Sequence, residues 1–220
     1  GPLDVGLLNV TKKPNRFNQD GFVDTANVGF DGKVMPPNHR AVTSSLANQL
    51  WHTDSSFLPT VAKYSILCAA TVPDTGGNTE FADLRAGHDL LPHDLHSVIT
   101  GKSGEHHALH SRVLLGNTYT KEQMNALPPT SWLLIRTHPS SQHKLVFASI
   151  QNSRISGMSI PESRMVVAEL LEHLTQRQFV YTHKWRSGDM VMWDNRCTLH
   201  RGRRFDLTAR RDLRRTTTRE

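Results

Sequence analysis

Alternation of apolar and polar residues dominates this chain, and it restricts the fold to one built mainly from β-strands. An apolar residue at every second position turns one side of a strand toward a core and the other toward solvent. The predicted strands, which share this alternation or a β-rich composition, are 22–30, 62–72, 78–81, 132–138, 144–150, 179–184, 188–193 and 211–217. We therefore expect a mainly β architecture with helices around it.

A turn is predicted between the second and third strands. Pro73 stops the run 62–72, and Gly76 with Gly77 supplies the backbone freedom that a turn needs. Because strand 78–81 follows at once, we expect these two strands to pair as a hairpin.

Helix signals are fewer than strand signals. Ser159 and Glu162 have capping-box spacing, and an apolar stripe with the 3.6-residue period of a helix follows them. The stripe consists of Met165, Val166, Leu170, Leu171 and Leu174. Shorter helices are predicted after an Asp83 N-cap as far as Leu91, from Pro92 to Ile99, and after a capping box from Thr120 to Gln123.

Length and composition indicate one domain. At 220 residues and 24.8 kDa the chain has room for a sizeable core, and we expect a single domain over residues 1–220. The mean hydropathy is −0.46, and no apolar run approaches the roughly 18 residues of a membrane helix. Cys68 and Cys197 form no Cys-x-x-Cys pair, so we expect reduced thiols and no structural zinc. A soluble cytoplasmic protein without a membrane partner is the expectation.

The net charge of +6 is concentrated in one segment. Residues 201–220 hold eight arginines against three acidic residues, and the rest of the chain is nearly neutral. Threonines and alternating apolar residues distinguish this segment from a low-complexity basic arm. We expect small anionic ligands and no nucleic-acid partner, with a basic nucleic-acid binder kept as an alternative class.

His52 and Asp54 are the most suggestive pair for chemistry. If their segment is a strand, the two side chains share one face and Thr53 points to the other. With His200 from a remote strand they would place two imidazoles and one carboxylate around a metal, the arrangement of non-haem Fe(II) oxygenases. An ordinary hydrogen-bonded pair of histidine and aspartate is the alternative.

Arginines near the end of the chain suit carboxylate ligands. An enzyme that uses 2-oxoglutarate must hold its distal carboxylate, and a guanidinium with a hydroxyl beside it can do so. Arg211 and Thr79 are the candidates for that role. Arg215 would share a strand face with Arg211, and two arginines on one face suit two anions. A solvated surface charge is the alternative for any one arginine.

Three motifs in order carry a resemblance to a known family. They are NQLWHTDSSF at residues 48–57, GGNTEFAD at 76–83 and WDNRCTLHRG at 193–202. With them the chain resembles the taurine dioxygenase-like family of Fe(II)/2-oxoglutarate-dependent dioxygenases, and within it the 2,4-dichlorophenoxyacetate (aryloxyalkanoate) dioxygenases. The resemblance implies a double-stranded β-helix, a jelly-roll, cupin-like barrel with flanking helices. Family members carry further residues ahead of the matching segment, so the chain is expected to be N-terminally truncated and to lack early strands.

The resemblance implies roles for individual residues. His52, Asp54 and His200 would bind Fe(II), and Thr79 with Arg211 would bind the distal carboxylate of 2-oxoglutarate. Arg215 would pair with the acid group of the substrate. The further substrate-pocket candidates are Asn48, Lys33 and His106.

The resemblance also implies a reaction. 2-Oxoglutarate and O₂ would be consumed, and the carbon beside the ether oxygen of an aryloxyacetate such as 2,4-dichlorophenoxyacetate would be hydroxylated. The products would be a phenol, glyoxylate, succinate and CO₂, as in herbicide degradation. The same chemistry on taurine, an alkyl sulfate or another small carboxylate is an alternative, as is a catalytically inactive cupin-like binding module. A homo-oligomer stays open.

The substrate is less constrained than the reaction. The herbicide enzymes have a lysine near position 9 and a histidine near position 151, where this chain has Asn9 and Gln151.

Overall fold

The structure is a computed structural model that describes residues 2–3 and 15–220. Asn9 lies outside the described residues. The strands are β1 (Phe22–Ala26), β2 (Ala62–Thr71), β3 (Thr79–Asp83), β4 (Ser103–His106), β5 (Thr130–Leu133), β6 (Ile135–Thr137), β7 (Lys144–Val146), β8 (Asn152–Ile155), β9 (Val180–His183), β10 (Met190–Asp194), β11 (Thr198–Gly202) and β12 (Asp212–Arg219).

The helices are short except for one. They are α1 (Arg40–Ser45), α2 (Leu84–Asp89), α3 (His93–Ile99), α4 (His110–Leu114), α5 (Lys121–Asn125) and α6 (Ile160–Leu174), with 3-10 turns at Leu46–Gln49 and Arg177–Phe179. The capping boxes predicted before α5 and α6 are both formed, and the Asp83 side chain caps α2.

Two antiparallel sheets build the barrel. One has the strand order β1-β12-β2-β10, and the other has the order β11-β3-β9. An isolated bridge between His52 and His200 places the His52 segment beside β11, as a fourth member of the second sheet. Four strands face three strands and the bridged His52 segment, and the chain crosses between the two sheets, as in the double-stranded β-helix that the sequence led us to expect.

The space between the two sheets holds a small apolar core. Alternate residues of β2, Leu67 and Ala69, are buried there, as the period of two predicts. They pack with Phe81 of β3, Trp193 of β10 and Leu213 of β12. Both sheets contribute to this core, so they face each other and enclose the interior in which a site can form.

A larger core lies under the helices. Leu170 and Leu174 of α6 are fully buried in it, together with Leu84 at the start of α2. The two helices approach so closely that a Cβ atom on Gly87 would lie 2.5 Å from Leu174 Cδ2. The absence of a side chain at Gly87 therefore permits this contact.

The predicted hairpin between the second and third strands is wrong. β2 pairs with β10 and β12, whereas β3 pairs with β9 and β11 in the other sheet. The turn at Gly76 and Gly77 instead carries the chain from one sheet to the other. A local turn signal reveals that the chain changes direction, but the packing of distant strands decides which strands pair.

Two other predictions are corrected in detail. The strand expected at 132–138 is broken at the buried Leu134 into β5, which pairs with β4, and β6, which pairs with β7. The buried face of α6 is also rotated from the predicted stripe, because Met165 is exposed while Val167 is buried.

Candidate metal centre

Three residues with ligand chemistry meet between the sheets. Atoms of His52, Asp54 and His200 that can bind a metal all lie within 4.8 Å of one another. Nε2 of His200 is 3.7 Å from Oδ2 of Asp54, and the two imidazole rings have centroids 4.2 Å apart. The structure thus brings together all three residues that the sequence singled out.

Backbone pairing brings the two histidines together. His52 N donates to His200 O over 3.0 Å, and His200 N donates to His52 O over 2.9 Å. The predicted strand does not continue beyond this bridge, because Asp54 begins a turn in which Ser55 has a φ of 54°. Thr53 still points away from the ligands, as predicted, and its hydroxyl donates to Thr198 O over 3.1 Å.

The protonation states of the three residues fit a divalent metal. Burial lowers the pKa of both His52 and His200, which favours the neutral imidazole that binds metals. Nδ1 of His52 lies 2.8 Å from Leu50 O, a contact that leaves Nε2 available as a ligand atom. Two neutral imidazoles and a carboxylate form a donor set that suits Fe(II).

Asp54 is held at both carboxylate oxygens. Oδ1 accepts a hydrogen bond from Arg215 Nη1, and Oδ2 accepts one from Ser65 Oγ over 2.7 Å. Burial opposes the charged form, but Arg215, the two imidazoles and Ser65 together lower the pKa to about 2. Asp54 is therefore an anion at neutral pH.

Arg211 is a buried cation without an anionic partner among the residues that the structure describes. Its guanidinium donates to the neutral carbonyl of Gly77, from Nε over 3.3 Å and from Nη2 over 3.1 Å. Burial lowers the pKa to about 10, so the side chain is still charged at neutral pH. A desolvated guanidinium of this kind favours an anionic ligand that brings its own charge.

Thr79 lies close to this guanidinium in the fold. It is buried at the start of β3, two residues after the Gly77 carbonyl to which Arg211 binds. Its Oγ1 accepts a hydrogen bond from Trp185 Nε1 over 2.9 Å, and an indole N–H can only donate. The Thr79 hydroxyl donates to no acceptor within the described part of the chain, so its proton is available for a ligand oxygen.

Arg211 and Arg215 face the same interior, as the sequence predicted. Leu213 packs in the core between the sheets and Arg215 contacts Asp54, so this alternate set of residues points between the sheets. Nε of Arg215 is buried without a hydrogen-bond partner among the described residues. The substrate role of Arg215 stays a prediction.

The other substrate-pocket candidates lie in three different environments. His106 is buried, with Nδ1 3.0 Å from Ser56 Oγ and its ring stacked on Phe147. Lys33 is exposed on a turn, and Asn48 is exposed on the 3-10 turn beside β11. The roles of all three stay predictions.

A second group of residues with ligand chemistry lies at a surface cavity of about 380 Å³. His138, Asp194 and Cys197 have ligand atoms within 4.8 Å of one another. Asp194, however, is already paired with Arg196 through both oxygens and accepts a further bond from His138. Burial also raises the pKa of the Cys197 thiol, which disfavours the thiolate. This group is a structural ion-pair cluster.

Sequence reasoning gave no role to three polar residues near the candidate ligands, although it noted Gln151 as a departure from the herbicide enzymes. Ser65, Asn195 and Gln151 are buried, and each contributes to hydrogen bonds near Asp54. Ser65 carried a signal of its own, because it is a polar residue beside Leu67 and Ala69 on the buried face of β2.

The arginine-rich segment is part of the fold. Arg201 pairs with Glu80 over 2.7 Å, Arg210 pairs with Asp212 over 3.1 Å, and most of the segment after Arg211 forms β12. No helix within residues 2–3 and 15–220 is long and apolar enough to cross a membrane.

Comparison with known proteins identifies the family of the chain. The family model described as "Taurine catabolism dioxygenase TauD, TfdA family" matches residues 8–217. An alpha-ketoglutarate-dependent 2,4-dichlorophenoxyacetate dioxygenase from Cupriavidus pinatubonensis is 53% identical over 219 residues, which cover 99% of this chain and 76% of that protein. A protein of the same name from a Burkholderia species is 52% identical, over 99% of this chain and 74% of its own length.

Solved structures give the same result. The crystal structure of AAD-2 in complex with Mn(II) and N-oxalylglycine superposes with a TM-score of 0.88 at 44% identity, over 94% of this chain and 75% of that one. The family match covers nearly the whole chain, and the metal centre lies within it. The chain therefore belongs to the taurine catabolism dioxygenase TauD, TfdA family.

Proposed function

We propose that this chain is an Fe(II)- and 2-oxoglutarate-dependent dioxygenase that hydroxylates an aryloxyacetate such as 2,4-dichlorophenoxyacetate. The proposal rests on the site itself, in which His52, Asp54 and His200 converge between the same sheets as the buried guanidinium of Arg211, which has no anionic partner among the described residues. The names of relatives that are 53% and 52% identical support the substrate class.

The residues divide the work between metal, cosubstrate and substrate. His52, Asp54 and His200 would hold Fe(II), which supplies O₂ activation coupled to the oxidative decarboxylation of 2-oxoglutarate to succinate and CO₂. Arg211 and Thr79 would bind the distal carboxylate of 2-oxoglutarate. AAD-2 supports this reading, because the N-oxalylglycine in its complex carries an oxalyl group and a remote carboxylate, as 2-oxoglutarate does.

Arg215 would orient the substrate by pairing with its carboxylate. Hydroxylation of the carbon beside the ether oxygen gives a hemiacetal, and its collapse releases a phenol and glyoxylate. The aromatic rings of Phe81 and Trp193 pack against the ring of His200, which is itself buried.

A second candidate substrate has the support of a more distant relative. A sulfate ester dioxygenase from Pseudomonas putida is 28% identical over 68% of this chain, so the same reaction on a sulfate ester is the second candidate. Because this relative is less similar to the chain than the two 2,4-dichlorophenoxyacetate dioxygenases, the aryloxyacetate is the favoured substrate. A cytoplasmic location and self-association stay predictions from the sequence.

A substrate panel tests the proposal. Succinate release would be measured with 2,4-dichlorophenoxyacetate, taurine and an alkyl sulfate, each with and without Fe(II). We expect the aryloxyacetate to give the highest kcat/KM, with one phenol formed for each succinate. A preference for the alkyl sulfate or taurine would contradict the substrate, and no succinate with any acid would favour the inactive binding module.

A further inference from the structure

Four buried side chains form a series of hydrogen bonds that ends on a candidate iron ligand. Trp193 Nε1 donates to Asn195 Oδ1 over 2.9 Å, and Asn195 Nδ2 donates to Ser65 Oγ over 2.9 Å. Ser65 Oγ then donates to Asp54 Oδ2 over 2.7 Å. Asn195 and Ser65 are 0% exposed, so these groups satisfy one another in place of water.

The donor and acceptor properties of these groups determine the direction of each hydrogen bond in the series. An indole N–H only donates, so the amide oxygen of Asn195 faces Trp193 and its NH₂ group faces Ser65. The hydroxyl of Ser65 has one proton, and an ionised carboxylate only accepts. The Ser65 proton is therefore committed to Asp54, and Thr217 Oγ1, 3.0 Å from Ser65 Oγ, acts as a second donor to Ser65.

The same series of hydrogen-bonded side chains also contacts a second candidate ligand, His200. The ring of Trp193 lies against the ring of His200, with centroids 4.7 Å apart. One tryptophan thus packs on an imidazole ligand with its ring and begins the hydrogen bonds that end on the carboxylate ligand. Two of the three candidate ligands are held by one connected set of side chains.

Strand register places these hydrogen-bonded side chains next to one another. Ser65 of β2 and Trp193 of β10 are directly paired in the antiparallel sheet. Asn195 follows β10, and its backbone N–H donates to Lys63 O over 2.8 Å. Ser65 shares the interior face of β2 with Leu67 and Ala69, where packing alone would favour an apolar residue.

We propose that Ser65 and Asn195 are positioning residues that fix the orientation of the Asp54 carboxylate and so raise the affinity of the site for Fe(II). This inference rests on the proposed function. A carboxylate that is already oriented does not have to be ordered when the metal binds. Outer-shell partners of metal ligands typically contribute about 10- to 100-fold in metal affinity.

Anaerobic Fe(II) titration against a competing chromogenic chelator tests the proposal with three proteins: wild type, Ser65→Ala and Ser163→Ala. Ser163 is a matched control, because it is 1% exposed and its hydroxyl makes two hydrogen bonds, with Ile155 N and Ser159 O. We expect Ser65→Ala to bind Fe(II) about 10- to 100-fold more weakly, and Ser163→Ala to stay within about threefold of wild type.

A second readout separates positioning from general stability. In the complex with Fe(II) and 2-oxoglutarate, the visible absorption band should change wavelength in Ser65→Ala and stay in place in Ser163→Ala. The proposal requires both the affinity loss and the band shift. It is overturned if the affinity of Ser65→Ala falls by less than about threefold, if its band does not move, or if Ser163→Ala changes as much.

Two controls keep the outcome decisive. If Ser65→Ala does not fold, as judged by circular dichroism, Trp193→Phe replaces it, because phenylalanine keeps a ring against His200 and removes the N–H group. Trp193→Phe must then also show an affinity loss of at least about threefold and a shift of the visible band. Failure of the wild type to bind Fe(II) would contradict the proposed function itself, whereas tight wild-type binding with an unaffected Ser65→Ala would contradict only the positioning role.

Discussion

The guanidinium of Arg215 donates from Nη1 to Oδ1 of Asp54, so the residue expected to bind the substrate's acid group lies directly against a candidate iron ligand. The side chain of Arg215 is 23% exposed, whereas that of Asp54 is 5% exposed. An anion that pairs with Arg215 from its open side is therefore held next to the metal centre.

Replacing Arg215 should affect the substrate far more than the cosubstrate. Arg215→Ala removes the guanidinium that would pair with the substrate carboxylate, so we expect its KM to rise on the order of 100-fold. The KM for 2-oxoglutarate should change by less than about threefold. Arg214→Ala is the matched control, because Arg214 is exposed on the other face of β12. Equal effects on the two KM values would mean that the arginine roles are misassigned.

Replacing Arg211 should affect the KM for the cosubstrate far more than the KM for the substrate. Arg211→Ala removes the buried guanidinium expected to hold the distal carboxylate, so the KM for 2-oxoglutarate should rise on the order of 100-fold. Steady-state assays in which 2-oxoglutarate and the substrate are varied in turn would measure the two KM values. Arg210→Ala is the control, because the neighbouring Arg210 is largely solvent-exposed and paired with Asp212. An unchanged KM for 2-oxoglutarate in Arg211→Ala would contradict the assignment.

His106 should make the protein less stable in mild acid. Burial lowers its pKa to about 3, whereas an unfolded histidine has a pKa of about 6.5. Between these values the unfolded state binds a proton that the folded state excludes, so the free energy of unfolding falls as the pH decreases. A single histidine contributes about 1 kcal/mol per pH unit in this window.

Urea unfolding at several pH values between those limits would measure this contribution. His106→Gln should show a shallower loss of stability with falling pH than wild type. A His106→Gln slope equal to that of wild type would show that His106 does not titrate as its burial implies.

The clustering of His52, Asp54 and His200 could be predicted from the sequence because the pattern is local at one end. His52 and Asp54 are separated by a single residue, and His200 lies in a motif of its own, so three residues at two places in the sequence suffice. The helix caps at Asp83, Thr120 and Ser159 are equally local and all formed.

Features that depend on distant contacts were not predictable in the same way. The partner strands of β2 and β3 are chosen by the packing of two sheets, so the local turn between them was misread as a hairpin. Asn195 and Ser65 are separated by 130 positions in the sequence, and only the pairing of β2 with β10 brings their side chains together.

The most direct measurement is an anaerobic titration of Fe(II) and 2-oxoglutarate into wild type and His52→Ala, followed by visible absorption. If His52, Asp54 and His200 hold the metal beside the cosubstrate, wild type should develop a saturable band that requires both additions. His52→Ala should fold, as judged by circular dichroism, and show no band at the same concentrations. A wild type without the band, or a His52→Ala protein with the full band, would contradict the metal centre.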